Sequence, residues 1–157
     1  DAQYFEMSDL KEVKVTLRDR GQQNIRLYQG TDGNWTVEGL EGEPIDQSRV
    51  RSLLAAVKGA RMVRPIGKTT KPEFGLDTPA AQVFITNGNE TIDFSVGTVF
   101  GDFRYVKASE KSHVVLVRKY TLDSLLDFDP TQLIDISQKE TQTPGDPTSR
   151  GLLPGGQ

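Results

Sequence analysis

Between Val13 and Val37 the apolar side chains return at every second position, in three short runs separated by residues that bend a chain. Val13-Lys14-Val15-Thr16-Leu17-Arg18 is the first run, Ile25-Arg26-Leu27-Tyr28 the second and Trp35-Thr36-Val37 the third. A period of two puts the apolar set on one face of a pleated strand and the polar set on the other. Arg20-Gly21-Gln22-Gln23-Asn24 and Thr31-Asp32-Gly33-Asn34 divide the runs, and Gly and Asn tolerate the positive φ of tight hairpins. Three such strands with short turns predict an antiparallel meander with one wet face.

The period then changes. Asp46 is a good N-cap, and Val50, Leu53, Leu54 and Val57 follow at i, i+3, i+4 and i+7. With Gly59 as the residue past the end, the spacing predicts a helix over 47–58 whose wet face carries Arg49, Arg51, Ser52 and Lys58. Pro65, Gly67, Pro72, Gly75 and Pro79 predict an irregular connector over 60–79. Alternation restarts at Gln82-Val83-Phe84-Ile85-Thr86 and returns in Thr91–Val96 after the turn Asn87-Gly88-Asn89. Phe103–Lys107 and Val114–Val117 supply two more strands, and Thr121 is placed to cap a short helix bearing Leu122, Leu125 and Leu126 that ends before Pro130.

The expected fold class is therefore α+β: two similar antiparallel meander-plus-helix halves, about 7–59 and 80–128, packed as one domain over 1–136. Hydrophobic residues are only 35% of the chain, so neither half has the apolar material for a core of its own. Trp35, Val50, Leu53, Leu54, Val57, Val83, Ile85, Ile92, Phe94, Leu116 and Leu125 form the expected core. From about Ser137 the sequence loses periodicity and gains Pro and Gly, which predicts a flexible tail over 137–157.

Composition excludes several chemistries. There is no Cys, so disulfides, thiolate metal sites and cysteine nucleophiles are out, and the single His113 rules out multi-histidine zinc sites. The net charge of −3 argues against a dedicated nucleic-acid binder. No run of about 18 apolar residues is present, and the opening Asp1–Glu6 lacks the pattern of a signal peptide. Asn34-Trp35-Thr36 and Asn89-Glu90-Thr91 are glycosylation sequons, read here as chance occurrences.

The remaining polar residues have bland readings. His113 has only Glu110 nearby as an orienting partner and reads as an exposed turn histidine, and Ser109 and Ser112 lack a nucleophile-elbow context. Asp127, Asp129 and Asp135 lack the spacing of a calcium loop and fit helix termination, while Glu38, Glu41 and Glu43 fit a solvated loop. Gly30, Gly97 and Gly101 do not form a phosphate loop. No catalytic, cofactor-binding or metal-ligating residue is assigned, and no cofactor is expected. One charge asymmetry stands out: residues 46–71 hold seven Lys and Arg against Asp46 alone, a local +6 in a chain that is otherwise −9. Partner contacts are assigned to Arg61, Arg64, Lys68 and Lys71 of this segment, and to Leu152 and Leu153, an apolar anchor in the tail.

Three segments occur in a telling order: Asp32-Gly33-Asn34-Trp35-Thr36-Val37, then Pro44-Ile45-Asp46 opening an amphipathic helix, then Phe74-Gly75-Leu76-Asp77-Thr78-Pro79-Ala80 opening a strand. Over about residues 7–135 the chain resembles the domain-of-unknown-function family numbered 4340. The resemblance implies a bacterial envelope protein of the kind that sits behind one N-terminal membrane helix, with some members beside gliding-type ABC transporter components; it carries over no catalytic residue. In the motif, Gly75 permits a tight turn, Asp77 is placed to bond backbone amides and Pro79 starts a strand without needing a ladder donor.

The leading expectation is a non-enzymatic, extracytoplasmic accessory domain with protein partners in a membrane-associated assembly, without nucleic acid, and near the membrane by proximity or through an N-terminal anchor. Two readings from other classes stay open: a small hydrolase or transferase using His113 and carboxylates, and a module binding polyanions or lipid surfaces through the charges of 46–71.

Overall fold

Alternating side chains need a sheet with one face covered, and the chain builds it from strands far apart in sequence. The computed structural model describes residues 2–4, 6–18, 21–58 and 61–138. Among them, nine strands form one antiparallel sheet: β1 (Ala2–Gln3), β2 (Glu12–Leu17), β3 (Gln23–Gln29), β4 (Trp35–Val37), β5 (Arg61–Gly67), β6 (Ala81–Thr86), β7 (Thr91–Phe100), β8 (Phe103–Ala108) and β9 (Val114–Arg118). Their spatial order is β1-β5-β9-β8-β7-β6-β2-β3-β4. Two meanders, β2-β3-β4 and β6-β7-β8-β9, meet edge to edge where β2 pairs with β6, Val15 opposite Val83. The architecture is α+β and mostly sheet.

Helices α1 (Gln47–Lys58) and α2 (Lys119–Leu126) pack against each other beside the sheet. The period-two residues Val13, Val15, Ile25, Leu27, Val83, Ile85, Val106, Val115 and Val117 join Val50, Leu53, Leu54, Val57, Leu122 and Leu125 in the main core. The expected core residues are buried, Ile92 partly so. Leu116 faces the other way, into a smaller cluster with Phe74, Tyr105 and Val114.

Helix α1 begins as its sequence predicts. Asp46 Oδ1 accepts from the backbone N–H groups of Ser48 and Arg49 at 3.1 and 3.2 Å, meeting donors that the first turn leaves without partners. Gln47 turns back onto β4: its Oε1 accepts from Trp35 N–H at 2.7 Å and its Nε2 donates to Trp35 C=O at 2.9 Å. A further bridge, Ile45 to Ile134, ties the helix entry to the 3-10 turn Pro130–Leu133.

The structure corrects two readings. The connector 60–79 is not irregular throughout, because Arg61–Gly67 is a strand between β1 and β9. Its register shifts between Met62 and Arg64 and again between Pro65 and Gly67, so the missing N–H of Pro65 falls in a broken stretch of ladder. After α1 the chain thus crosses to the far side of the second meander. The second correction concerns α2, which starts at Lys119 and has no side-chain cap; the Lys119 N–H is met by the Asp102 carbonyl at 2.8 Å, so Thr121 has no capping role. The expected C-terminal Gly59 and the tail beyond residue 138 lie outside the described residues.

Candidate functional site

The cations of 46–71 are dispersed by the fold. Arg49 belongs to the entry of α1, 3.6 Å from Asp46 and donating to the Gln132 carbonyl at 2.9 Å. Arg51 and Lys58 line an open groove of about 690 Å³ beside Trp35 and Leu54. Arg61 and Arg64 lie on β5, and Lys68 and Lys71 on the turn after it. At about 3.3 Å per residue, Arg61 and Lys68 sit at opposite ends of a strand roughly 20 Å long. Arg64 lies opposite Leu116, and Arg64, Lys68 and Lys71 are all exposed. Among the described residues, none of these three enters an ion pair. Leu152 and Leu153 lie outside the described residues.

The stretch that follows is anchored firmly. Lys71 leads into the 3-10 turn Pro72–Phe74, which Gly75 ends in the left-handed region at φ 68°, its N–H donating to the Pro72 carbonyl. A side chain at Gly75 would strain the backbone and collide with Thr98. Phe74 is buried and stacks on Tyr105 with ring centroids 4.3 Å apart. The Thr98 hydroxyl donates to the Glu73 carbonyl at 2.7 Å. Here β7 changes register between Val96 and Val99, and Gly97 passes directly under the Phe74 carbonyl. The Phe74–Leu76 stretch therefore covers the patch of the opposite sheet face formed by Tyr105, Val114 and Leu116. Asp77 is exposed and, among the described residues, makes no hydrogen bond of the kind expected of it; it lines a polar cavity of about 330 Å³ with Thr16, Arg18 and Gln82.

His113 is half-buried rather than fully exposed, because the turn before β9 folds against the N-terminal segment. A cavity of about 380 Å³ beside it is lined by Tyr4, Met62, Pro65, Lys111, Ser112 and Val115, with no carboxylate in that lining. The Ser112 hydroxyl lies 3.0 Å from His113 Nδ1. Burial raises the Tyr4 phenol above its ordinary value. Its hydroxyl donates to the His113 carbonyl at 3.0 Å and accepts from the Ala108 N–H at 3.1 Å.

The acidic residues singled out by sequence serve local structure. Asp129 and Gln132 form a reciprocal capping box on Pro130–Leu133, and Asp127 ends α2. Asp135 accepts from the Ser137 hydroxyl and the Gln138 N–H, which hold its carboxyl below the ordinary value. Glu41 is also lowered, first by its own backbone N–H and then by the Tyr28 hydroxyl at 3.0 Å. Among the described residues, no three His, Asp or Glu side chains gather as a metal site, and no helix is long and apolar enough to cross a membrane.

Sheet order, helix placement and the seating of Phe74 and Gly75 define a class: an antiparallel α+β protein with helices on one face of the sheet and a short loop covering part of the other. The chain matches the family described as a domain of unknown function, DUF4340, over residues 35–147, and it belongs to that family. The matched span begins at Trp35, so the strands β1, β2 and β3 of the sheet precede it. No curated protein and no solved structure matches the chain.

Proposed function

We propose that this chain is a non-enzymatic interaction domain of a membrane-associated envelope assembly, acting on the extracytoplasmic side. The observation that carries the reading is the set of exposed cations Arg64, Lys68 and Lys71, unpaired among the described residues. They ride on a strand held between two neighbours and on a turn anchored by the Phe74–Tyr105 stack. Positive side chains on a fixed frame suit recognition of an acidic protein partner, through steering and register more than through apolar burial. The envelope setting comes from the family resemblance. The same reading takes the two meander-plus-helix halves as one unit and the stretch 137–157 as a flexible tail that orders on a partner, with Leu152 and Leu153 as its anchor.

The test is co-purification from native membranes with the full chain, with a truncation after Ile136, and with Arg64→Glu combined with Lys68→Glu. The reading expects a defined partner that is retained at low salt, weakened at high salt and lost in the charge-reversed chain. A partner set unchanged by charge reversal and by truncation, in chains that still fold, overturns it.

A further inference from the structure

Away from the loop seated at Phe74, the sheet face opposite the helices is open, and strand register sets its outward side chains in rows. One row runs Asn24, Thr16, Gln82, Ser95 and Lys107 across β3, β2, β6, β7 and β8. Each has buried neighbours in sequence that point the other way, into the main core. Four steps of about 4.8 Å make the row roughly 19 Å long. Its members offer hydroxyls, carboxamides and one ammonium, and the Thr16 hydroxyl donates to Asn24 Oδ1 at 2.8 Å. The adjacent row runs Arg26, Lys14, Phe84 and Asp93. Phe84 stands in the middle of this open face, 37% exposed, with Lys14 Nζ 5.9 Å from its ring centroid.

Beside Thr16 and Gln82 the polar row meets the cavity of about 330 Å³ whose wall is the stretch Asp77-Thr78-Pro79. Arg18 Nη1 donates to the Thr78 carbonyl at 3.4 Å and ties that wall to the end of β2. Phe74 and Gly75 of the same loop are spent on packing and on the turn, but the Asp77 carboxylate is not. Among the described residues, neither it nor the Gln82 carboxamide has a hydrogen bond within the protein. Charge on this face is balanced: Lys14, Arg18, Arg26 and Lys107 stand against Glu12, Glu38, Asp77 and Asp93. Arg26 holds both Glu12 and Glu38, at 2.6 and 3.2 Å.

We infer that this face binds an uncharged oligosaccharide of the flat, equatorially linked kind found in cellulose and chitin. It lies across the strands along the two rows, with one ring against Phe84 and neighbouring hydroxyls on Asp77. A sugar unit has hydroxyls that donate and accept, which Asn, Thr, Gln and Ser match, and an apolar ring face, which a phenyl ring matches. A carboxylate accepts from two hydroxyls at once, the one bond type that the cavity wall supplies and the protein itself leaves unused. Other occupants fit worse. The core of a protein contact is apolar and aromatic, and this face has Phe84 alone to give it. A nucleic acid or an acidic lipid needs a positive excess, which Asp77 and Asp93 cancel. The face is separate from Arg64, Lys68 and Lys71, so this inference does not rest on the reading of those cations.

The experiment is titration of the isotope-labelled full chain with cellotetraose and with chitotetraose, followed by amide NMR shifts. The expected result is a saturable change with at least one of the two, clustered on Thr16, Asp77, Gln82 and Phe84. The affinity should be the same at low and high salt, because the ligand carries no charge. It should fall about tenfold in Phe84→Ala and in Asp77→Asn, the loss expected for one platform or one charged hydrogen bond. Both side chains are exposed, the spectrum of each variant reports its fold, and the shift map of the parent needs no variant at all. Charge reversal at Arg64 and Lys68 should leave the affinity unchanged, so loss of the acidic-partner reading does not touch this one. No saturable change with either sugar, shifts that fall elsewhere, binding weakened by salt, or parent-like affinity in either variant overturns the inference.

Discussion

Gly97 of β7 passes so close beneath the carbonyl oxygen of Phe74 that a single added carbon would penetrate it. The contact is backbone against backbone, which neither partner relieves by changing rotamer. Gly97→Ala should therefore force Phe74 off its stack on Tyr105 and loosen the face opposite the helices. Overpacking of this kind costs about 1–3 kcal/mol, and urea unfolding monitored by circular dichroism measures it. A Gly97→Ala chain as stable as the parent would show that the loop is not seated as described.

Tyr4 links the N-terminal segment to the end of β8 and to the turn before β9. Tyr4→Phe keeps the ring but leaves the buried Ala108 N–H without its acceptor, and should cost about 1–3 kcal/mol. The pH dependence has a definite sign. Burial raises the phenol above 10.0, so its contribution is fully present below that value and is lost as the pH rises through the higher folded-state value. Tyr28 is raised as well, chiefly by its hydrogen bond to Glu41, so the comparison must be between parent and variant. Chemical unfolding at stepped alkaline pH should show a shallower loss of stability in Tyr4→Phe than in the parent.

His113 contributes its backbone carbonyl to that link and its ring only to the rim of a cavity. His113→Ala should keep the Tyr4 hydrogen bond and change stability by no more than about 0.5 kcal/mol, the range of ordinary surface substitutions. Any binding or turnover assayed for the parent should survive. Loss of a turnover in this variant would revive the hydrolase or transferase reading.

Leu54 lies on the buried stripe of α1 and beside Trp35 at the wall of the groove. Leu54→Ala should cost about 2–5 kcal/mol, with the lower part of the range expected because the open groove lets neighbours settle. Thermal and urea unfolding give the value. A cost below 1 kcal/mol, by the same scale of transfer and cavity terms, would mean that the helix is not seated on the sheet.

Much of this fold could be read from local pattern. Val50, Leu53, Leu54 and Val57 carry the period of a helix and Asp46 its cap, and α1 spans the residues they predict. The strands of both meanders announce themselves because each has one wet face. Strand β5 does not, since Pro65 and Gly67 mask a segment whose ladder is supplied by β9, some fifty residues later. The end of β7 was hidden by Gly97, which reads as a break although the strand continues past it. The start of α2 was hidden because its first donor is met by Asp102 and not by a neighbour in sequence. The basic segment was plain from its charge, but composition gave no sign that Arg61 and Lys68 would lie at opposite ends of one strand.

The two hydrogen bonds from Gln47 to Trp35 have a consequence for the behaviour of many copies together. β4 is the last strand on its side of the sheet, and its outward amide and carbonyl are what a stray strand from another molecule would seek. The Gln47 carboxamide offers the same donor and acceptor pair as a peptide group and already occupies them. The next outward carbonyl, that of Val37, is taken by the Leu40 N–H as the chain turns away. At this border the sheet is finished by an imitation of a tenth strand one residue wide, so a concentrated solution finds no template there for edge-to-edge growth into fibrils.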